Sequence, residues 1–162
     1  MPPPPIRFKR LPEVEPADLI ALMNAPRVQR HLPLASGPFG PAECAAFVAE
    51  KERLWVEHGY GPWAFEVDGR FAGWGGLQPF GGDLDLGLVL RPAFWGLGRT
   101  LYARFVATAF NVLGAPSVIV LLPPSRLQVS GIQRLGFQPD GDVTIAGHPF
   151  RRYRLTAPLS ET

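Results

Sequence analysis

Only one cysteine, Cys44, stands among the 162 residues. One thiol excludes an intramolecular disulfide and any thiolate-built metal cluster within a single chain, and it suits a reducing compartment. Long hydrophobic runs are missing too. No window approaches the roughly eighteen consecutive apolar residues of a membrane span, and the N-terminal MPPPPIRFKR lacks the apolar stretch of a secretory leader. A cytoplasmic protein with no membrane partner is expected. Charge of one sign is equally scarce: the net charge is +2 and no segment carries five or six like charges in a row. That argues against nucleic acid as a partner, while a mildly basic surface suits an anionic cofactor. The three histidines, His31, His58 and His148, are too dispersed for metal-ligand spacing, so no metal is expected. No Gly-Lys-Ser/Thr occurs, which excludes a Walker-type phosphate loop.

What is present is the composition of an ordinary globular protein, with 46% hydrophobic and 19% charged residues, enough for one domain over residues 1–162. After the proline leader, IRFKRL alternates as a first strand. Pro16 opens a helix in which Asp18 favours the positive end and Leu19, Leu22 and Met23 follow i, i+3, i+4 spacing. Ala25 to Gly40, with three prolines and two glycines, reads as an irregular connection of a length that is often functional. A second helix runs from Pro41 to Gly59, with Cys44, Phe47, Val48, Leu54 and Trp55 on one face. Asp68-Gly69 marks a tight hairpin, and Gly-Gly-Asp leads into a third strand, LDLGLVL, completing an antiparallel meander. A helix of about four turns starts at Gly98 with a stripe of Leu101, Phe105, Thr108, Ala109 and Val112. SVIVLL then reads as a buried strand, SRLQVSGIQRLG as a short helix, and GHPFRRYRLTAPL as a final strand.

The stretch LDLGLVLRPAFWGLGRT joins a strand to a helix through Gly96-x-Gly98. The first amides of a helix lack internal partners and carry partial positive charge, and glycines let a phosphate approach them closely. A tight structural turn would need the same glycines. A dinucleotide-binding Rossmann unit is a poor match, because its third glycine would fall at Leu101 and no acidic ribose contact follows in VIVLLPP.

RHLP in the early loop, EVDGRFAGWGGL, LDLGLVLRPAFWGLGRT and GIQRLGF near the C-terminus together make the chain resemble the GNAT superfamily of acyl-CoA-dependent N-acyltransferases, in particular its RimJ/RimL-like branch. The resemblance covers IRFKRL to YRLTAPL and implies a mixed α/β fold, an α+β mixed sheet built as a mainly antiparallel meander followed by β-α-β-α-β. It implies acetyl-CoA as cofactor. Amides from Trp95, Gly96, Leu97, Gly98, Arg99, Thr100 and Leu101 would cradle the pyrophosphate, and the main chain of Leu88, Val89 and Leu90 would bind the pantetheine arm. Ser125 joins this cofactor set. Trp95 stands where Gln or Arg is usual, and Thr100 where Gly or Ala is usual.

Acyl transfer to an amine needs a proton acceptor for the nucleophile and a proton donor for the leaving thiolate. Asp85, in LDLG where the branch commonly has Glu-Ile-Gly, is the candidate base; a solvated carboxylate on a strand face is the competing assignment. The short last helix lacks the family's tyrosine, leaving Ser130 or water as the proton donor. His31 in the early loop, with Phe39, Trp74 and Phe80, are candidates for binding the acceptor. His58 and His148 are read as structural, and Arg99 and Arg104 as cations near the phosphates, with surface solvation the favoured assignment for Arg104. The expected activity is transfer of an acetyl group to a primary amine, a peptide N-terminus or a small molecule, directly within a ternary complex. A non-catalytic acyl-CoA-binding module is the rival. The acyl chain and the oligomeric state, a homodimer among the options, are open.

Overall fold

The computed structural model describes residues 5–34 and 37–158. Residues 1–4 of the proline leader and Ala35 and Ser36 of the early loop lie outside them. The described chain forms two compact units, one from Met1–Gly76 and Leu88–Gly96, the other from Leu77–Gly87 and Leu97–Thr162. The fold class is the expected mixed α/β, with a seven-stranded sheet in the order β1-β2-β3-β4-β5-β7-β6.

The first unit begins with β1 (Ile6–Lys9), shorter than the alternation of IRFKRL suggests. Pro12 removes a ladder donor, so Leu11–Glu13 forms a 3-10 turn instead, with the Arg10 N–H donating to Glu13 Oε2 at 2.7 Å. Helix α1 (Pro16–Asn24) starts on its proline as expected. The connection after it is not wholly irregular, because Pro26–Gln29 forms a short helix, α2, that buries Val28. Helix α3 (Pro41–His58) is fixed at its start by the Gly40 N–H donating to Glu43 Oε1 at 3.0 Å, and it stops where Gly59 turns left-handed. Strand β2 (Pro62–Val67) pairs antiparallel with β1 and with β3 (Arg70–Phe80). The hairpin turn has positive φ at Asp68 and Gly69, as the dipeptide demands. Leu11, Leu19, Leu22, Met23, Val28, Cys44, Ala64, Trp74 and Val89 form this unit's core.

In the second unit, β3 turns through Gly81 and Gly82 into β4 (Asp83–Leu90). Helix α4 (Gly98–Asn111) packs on β5 (Ser117–Leu122) and on α5 (Ser130–Arg134), and Leu101, Tyr102, Phe105 and Ala109 are its buried residues. Val112, expected on that stripe, is 76% exposed because the helix ends one residue before it. A strand the sequence reading lacks, β6 (Gln138–Ile145), pairs with β7 (His148–Thr156). Pro139, Gly141 and two aspartates disguise it, and the register shifts between Pro139 and Asp142. Arg154 ties this unit together: it donates to both Asp83 oxygens at 2.8 and 3.2 Å, to Asp140 Oδ2 at 2.8 Å and to Ser117 Oγ at 2.8 Å.

Candidate active site and cofactor turn

The end of β4 is held close to β3. At Gly73, φ is +151°, and a Cβ there would collide with the Val89 carbonyl oxygen and lie 2.8 Å from Leu90 Cα. Only glycine permits this approach, which fixes the segment Leu88–Leu90. The Arg91 N–H then donates to Ala72 O at 2.8 Å, and the Phe94 N–H to Arg91 O at 2.8 Å, so the chain leaves the strand in a 3-10 turn, Pro92–Leu97. The Trp95 indole N–H donates to Leu90 O at 2.9 Å. That bond locks the ring over the strand end while leaving the residue 42% exposed.

From Leu97 the chain belongs to the second unit, where α4 begins. Its N-terminal amides receive no side-chain cap and its first turn contains no acidic residue. Ideal Cβ atoms at Gly96 and Gly98 would meet nothing within 4 Å, so the turn presents open backbone. A 14-residue helix with an uncapped, acid-free start is a ready site for a phosphate. Leu101 is fully buried, so its side chain anchors the helix, whereas Arg99 and Thr100 are exposed.

Asp85 is half-buried on β4, in parallel register with Ile119 of β5, and its neighbour Leu86 is buried as strand alternation requires. Near it lies Tyr102 of α4. Burial pushes that phenol up from its ordinary value, the Asp85 charge adds to the rise and the Arg126 charge opposes it. The last helix lacks the family's tyrosine, whereas this one sits one residue after Leu101 on the buried side of α4, a position that no motif in the sequence marks. Ser125 is exposed before α5, and Ser130 is the exposed first residue of that helix.

The acceptor candidates divide between the units. Trp74 is buried in the first core, its indole N–H on Met23 Sδ at 3.5 Å, with Phe47 edge-on at 5.0 Å and Phe39 a further 5.8 Å from Phe47. The Asn24 amide donates to Phe39 O at 2.8 Å and anchors the loop there. His31 is half-buried just after α2, and Phe80 is half-buried at the end of β3 in the second unit. Glu66 is occupied by Lys9 at 2.6 Å, and that hydrogen bond holds its carboxyl below the usual range. Cys44 is buried and desolvation pushes its thiol up. Arg99 and Arg104 are exposed, but the guanidiniums that contact the turn's rings are others: Arg27 lies 4.7 Å from the Trp95 ring centroid, and Arg70 and Arg91 lie 5.2 and 5.8 Å from that of Phe94.

The family model of the acetyltransferase (GNAT) domain matches residues 8–138, and the chain belongs to that family. It is therefore an acetyltransferase, and the enzyme reading prevails over the non-catalytic module. The fold is similar to that of an acetyltransferase from Agrobacterium tumefaciens, at 18% identity and a TM-score of 0.76, covering 94% of this chain and 91% of that one. It is also similar to yncA of Salmonella typhimurium with its cofactor acetyl-CoA, at 18% identity and a TM-score of 0.67 over 99% and 98% of the two chains. A chimera of the spermidine N-acetyltransferase SpeG from Vibrio cholerae and hSSAT matches at 14% identity and a TM-score of 0.68, over 93% and 95%.

Proposed function

We propose that this protein is a cytoplasmic N-acetyltransferase of the RimJ/RimL-like branch that moves the acetyl group of acetyl-CoA to a primary amine, by direct transfer within one ternary complex. The observation that carries the proposal is the β4-turn-α4 segment in a GNAT acetyltransferase, where open glycines lead into an uncapped helix start. Residues 1–162 act in it as one acyltransferase domain. Acetyl-CoA supplies an activated thioester. The amides from Trp95 to Leu101 hold its pyrophosphate, the main chain of Leu88, Val89 and Leu90 aligns its pantetheine arm, and Ser125 adds a hydroxyl.

Asp85 accepts the proton of the amine, directly or through one water. Ser130 or solvent returns a proton on the leaving side. His31, Phe39, Trp74 and Phe80 shape the acceptor's surroundings. Cys44 takes no part: a buried thiol with a raised pKa is a poor nucleophile, which supports direct transfer over an acyl-cysteine. The acceptor is a small monoamine or a peptide N-terminus. Although polyamine acetyltransferases share the fold, Glu66 is neutralised by Lys9 and Arg7, so it offers a polycation little.

Initial rates measured over a matrix of acetyl-CoA and amine concentrations test the proposal, with amino-acid amides, short peptides, small monoamines and spermidine as acceptors. Intersecting double-reciprocal lines with a monoamine or peptide are expected. Parallel lines, or turnover confined to spermidine, would overturn the transfer mode or the acceptor class respectively.

A further inference from the structure

Three arginines of the first unit gather around two consecutive aromatic rings. Arg27 of α2 lies over Trp95, and Arg70 of β3 and Arg91 lie over Phe94. None of the three has a carboxylate partner among the described residues. Other arginines of the chain do have one: Arg10 on Glu52 at 2.8 Å, Arg152 on Asp140 at 3.0 Å, Arg154 on Asp83 at 2.8 Å. Uncompensated like charges at one place repel one another, and aromatic faces offset this only in part. The patch is also preorganised. The indole under Arg27 is locked on Leu90 O, and Arg91 donates to Phe71 O at 3.1 Å. Guanidiniums without acids, two on exposed residues and one half-buried and held by a carbonyl, are suited to an anion of high charge density.

We propose that Arg27, Arg70 and Arg91 seat the 3′-phosphate of coenzyme A and make the enzyme prefer 3′-phosphorylated cofactor. The inference rests on the reading of acetyl-CoA as donor, and it extends that reading to side chains outside the amide cradle. A phosphomonoester carries about −1.5 to −2 charges at neutral pH, more than a carboxylate or a phosphodiester. Coenzyme A has one such group, on its ribose. Phe94 and Trp95 directly precede Gly96, so the patch sits on the chain segment that leads into the phosphate cradle. The same charges also disfavour a polycationic acceptor at this place.

Calorimetric titration of coenzyme A and of 3′-dephospho-coenzyme A into the full chain, and into Arg27→Gln, Arg70→Gln and the double variant, tests the proposal. Both substituted residues are exposed, and circular dichroism verifies folding. The wild type is expected to prefer coenzyme A by roughly tenfold, and each substitution to remove up to about fivefold of that preference, the upper range for one exposed ion pair. Affinity for the dephosphorylated form should stay constant. Equal affinities in the wild type, or a preference that survives the double substitution, would overturn the inference and leave acetyl-CoA as donor intact. Failure of both ligands to bind would overturn both.

Discussion

Asp85 owes its proposed role to its position. Strand alternation turns Leu86 into the interior, and Asp85 stays half-buried where β4 meets β5 at Ile119. An Asp85→Asn enzyme keeps the size and hydrogen-bonding shape of the side chain but cannot accept a proton. Its kcat should fall by about a hundredfold with KM for acetyl-CoA unchanged, as expected for one general base. An unaltered kcat would make Asp85 a solvated carboxylate. The candidate base could be read from LDLG because a period of two assigns its face. The charge coupling of Asp85 to Tyr102 could not be, because it joins a strand to a helix across seventeen positions and no short-range pattern encodes it.

At the scale of elements, β4 is set by its neighbour. Gly73 is the point at which β3 comes close enough to fix the Val89-Leu90 backbone that the pantetheine reading uses. Gly73→Ala introduces a collision with that backbone and an unfavourable φ, and it should destabilise the protein by about 1–3 kcal/mol. Urea denaturation monitored by tryptophan fluorescence measures it; an unchanged midpoint would mean the strands can part at no cost. The glycine turns, the proline helix starts and the β4-turn-α4 order were legible because each depends on local chemistry: positive φ at Asp68-Gly69, a missing N–H at Pro16 and Pro41. Strand β6 was not legible. Its Pro139 and Gly141 are local breakers overruled by pairing with β7, a tertiary effect. Nor was the arginine patch, whose members come from α2, β3 and the turn and meet only in the fold.

For the molecule as a whole, the charge network in the second unit governs acid stability. The Arg154 guanidinium holds the carboxyls of Asp83 and Asp140 below their usual range, chiefly by hydrogen bonding. Groups whose folded pKa is depressed contribute stability above their unfolded pKa, about 3.9, and lose it as pH falls through the folded value. The wild type should therefore lose stability progressively below about pH 5. Arg154→Met should be less stable at neutral pH and should show a flatter decline in acid. Urea midpoints between pH 7 and pH 3 check this; parallel curves for the two proteins would show that the network is neutral in folding.

Whether the glycine turn before α4 holds the cofactor's pyrophosphate, as proposed, is decided by a calorimetric titration of acetyl-CoA into the wild type and Gly98→Trp. Gly98 faces open space, so an indole can be accommodated while covering the helix start. Saturable binding to the wild type is expected, and none to a Gly98→Trp protein whose circular dichroism is unchanged. Equal binding by the two proteins, or no binding by the wild type, would contradict it.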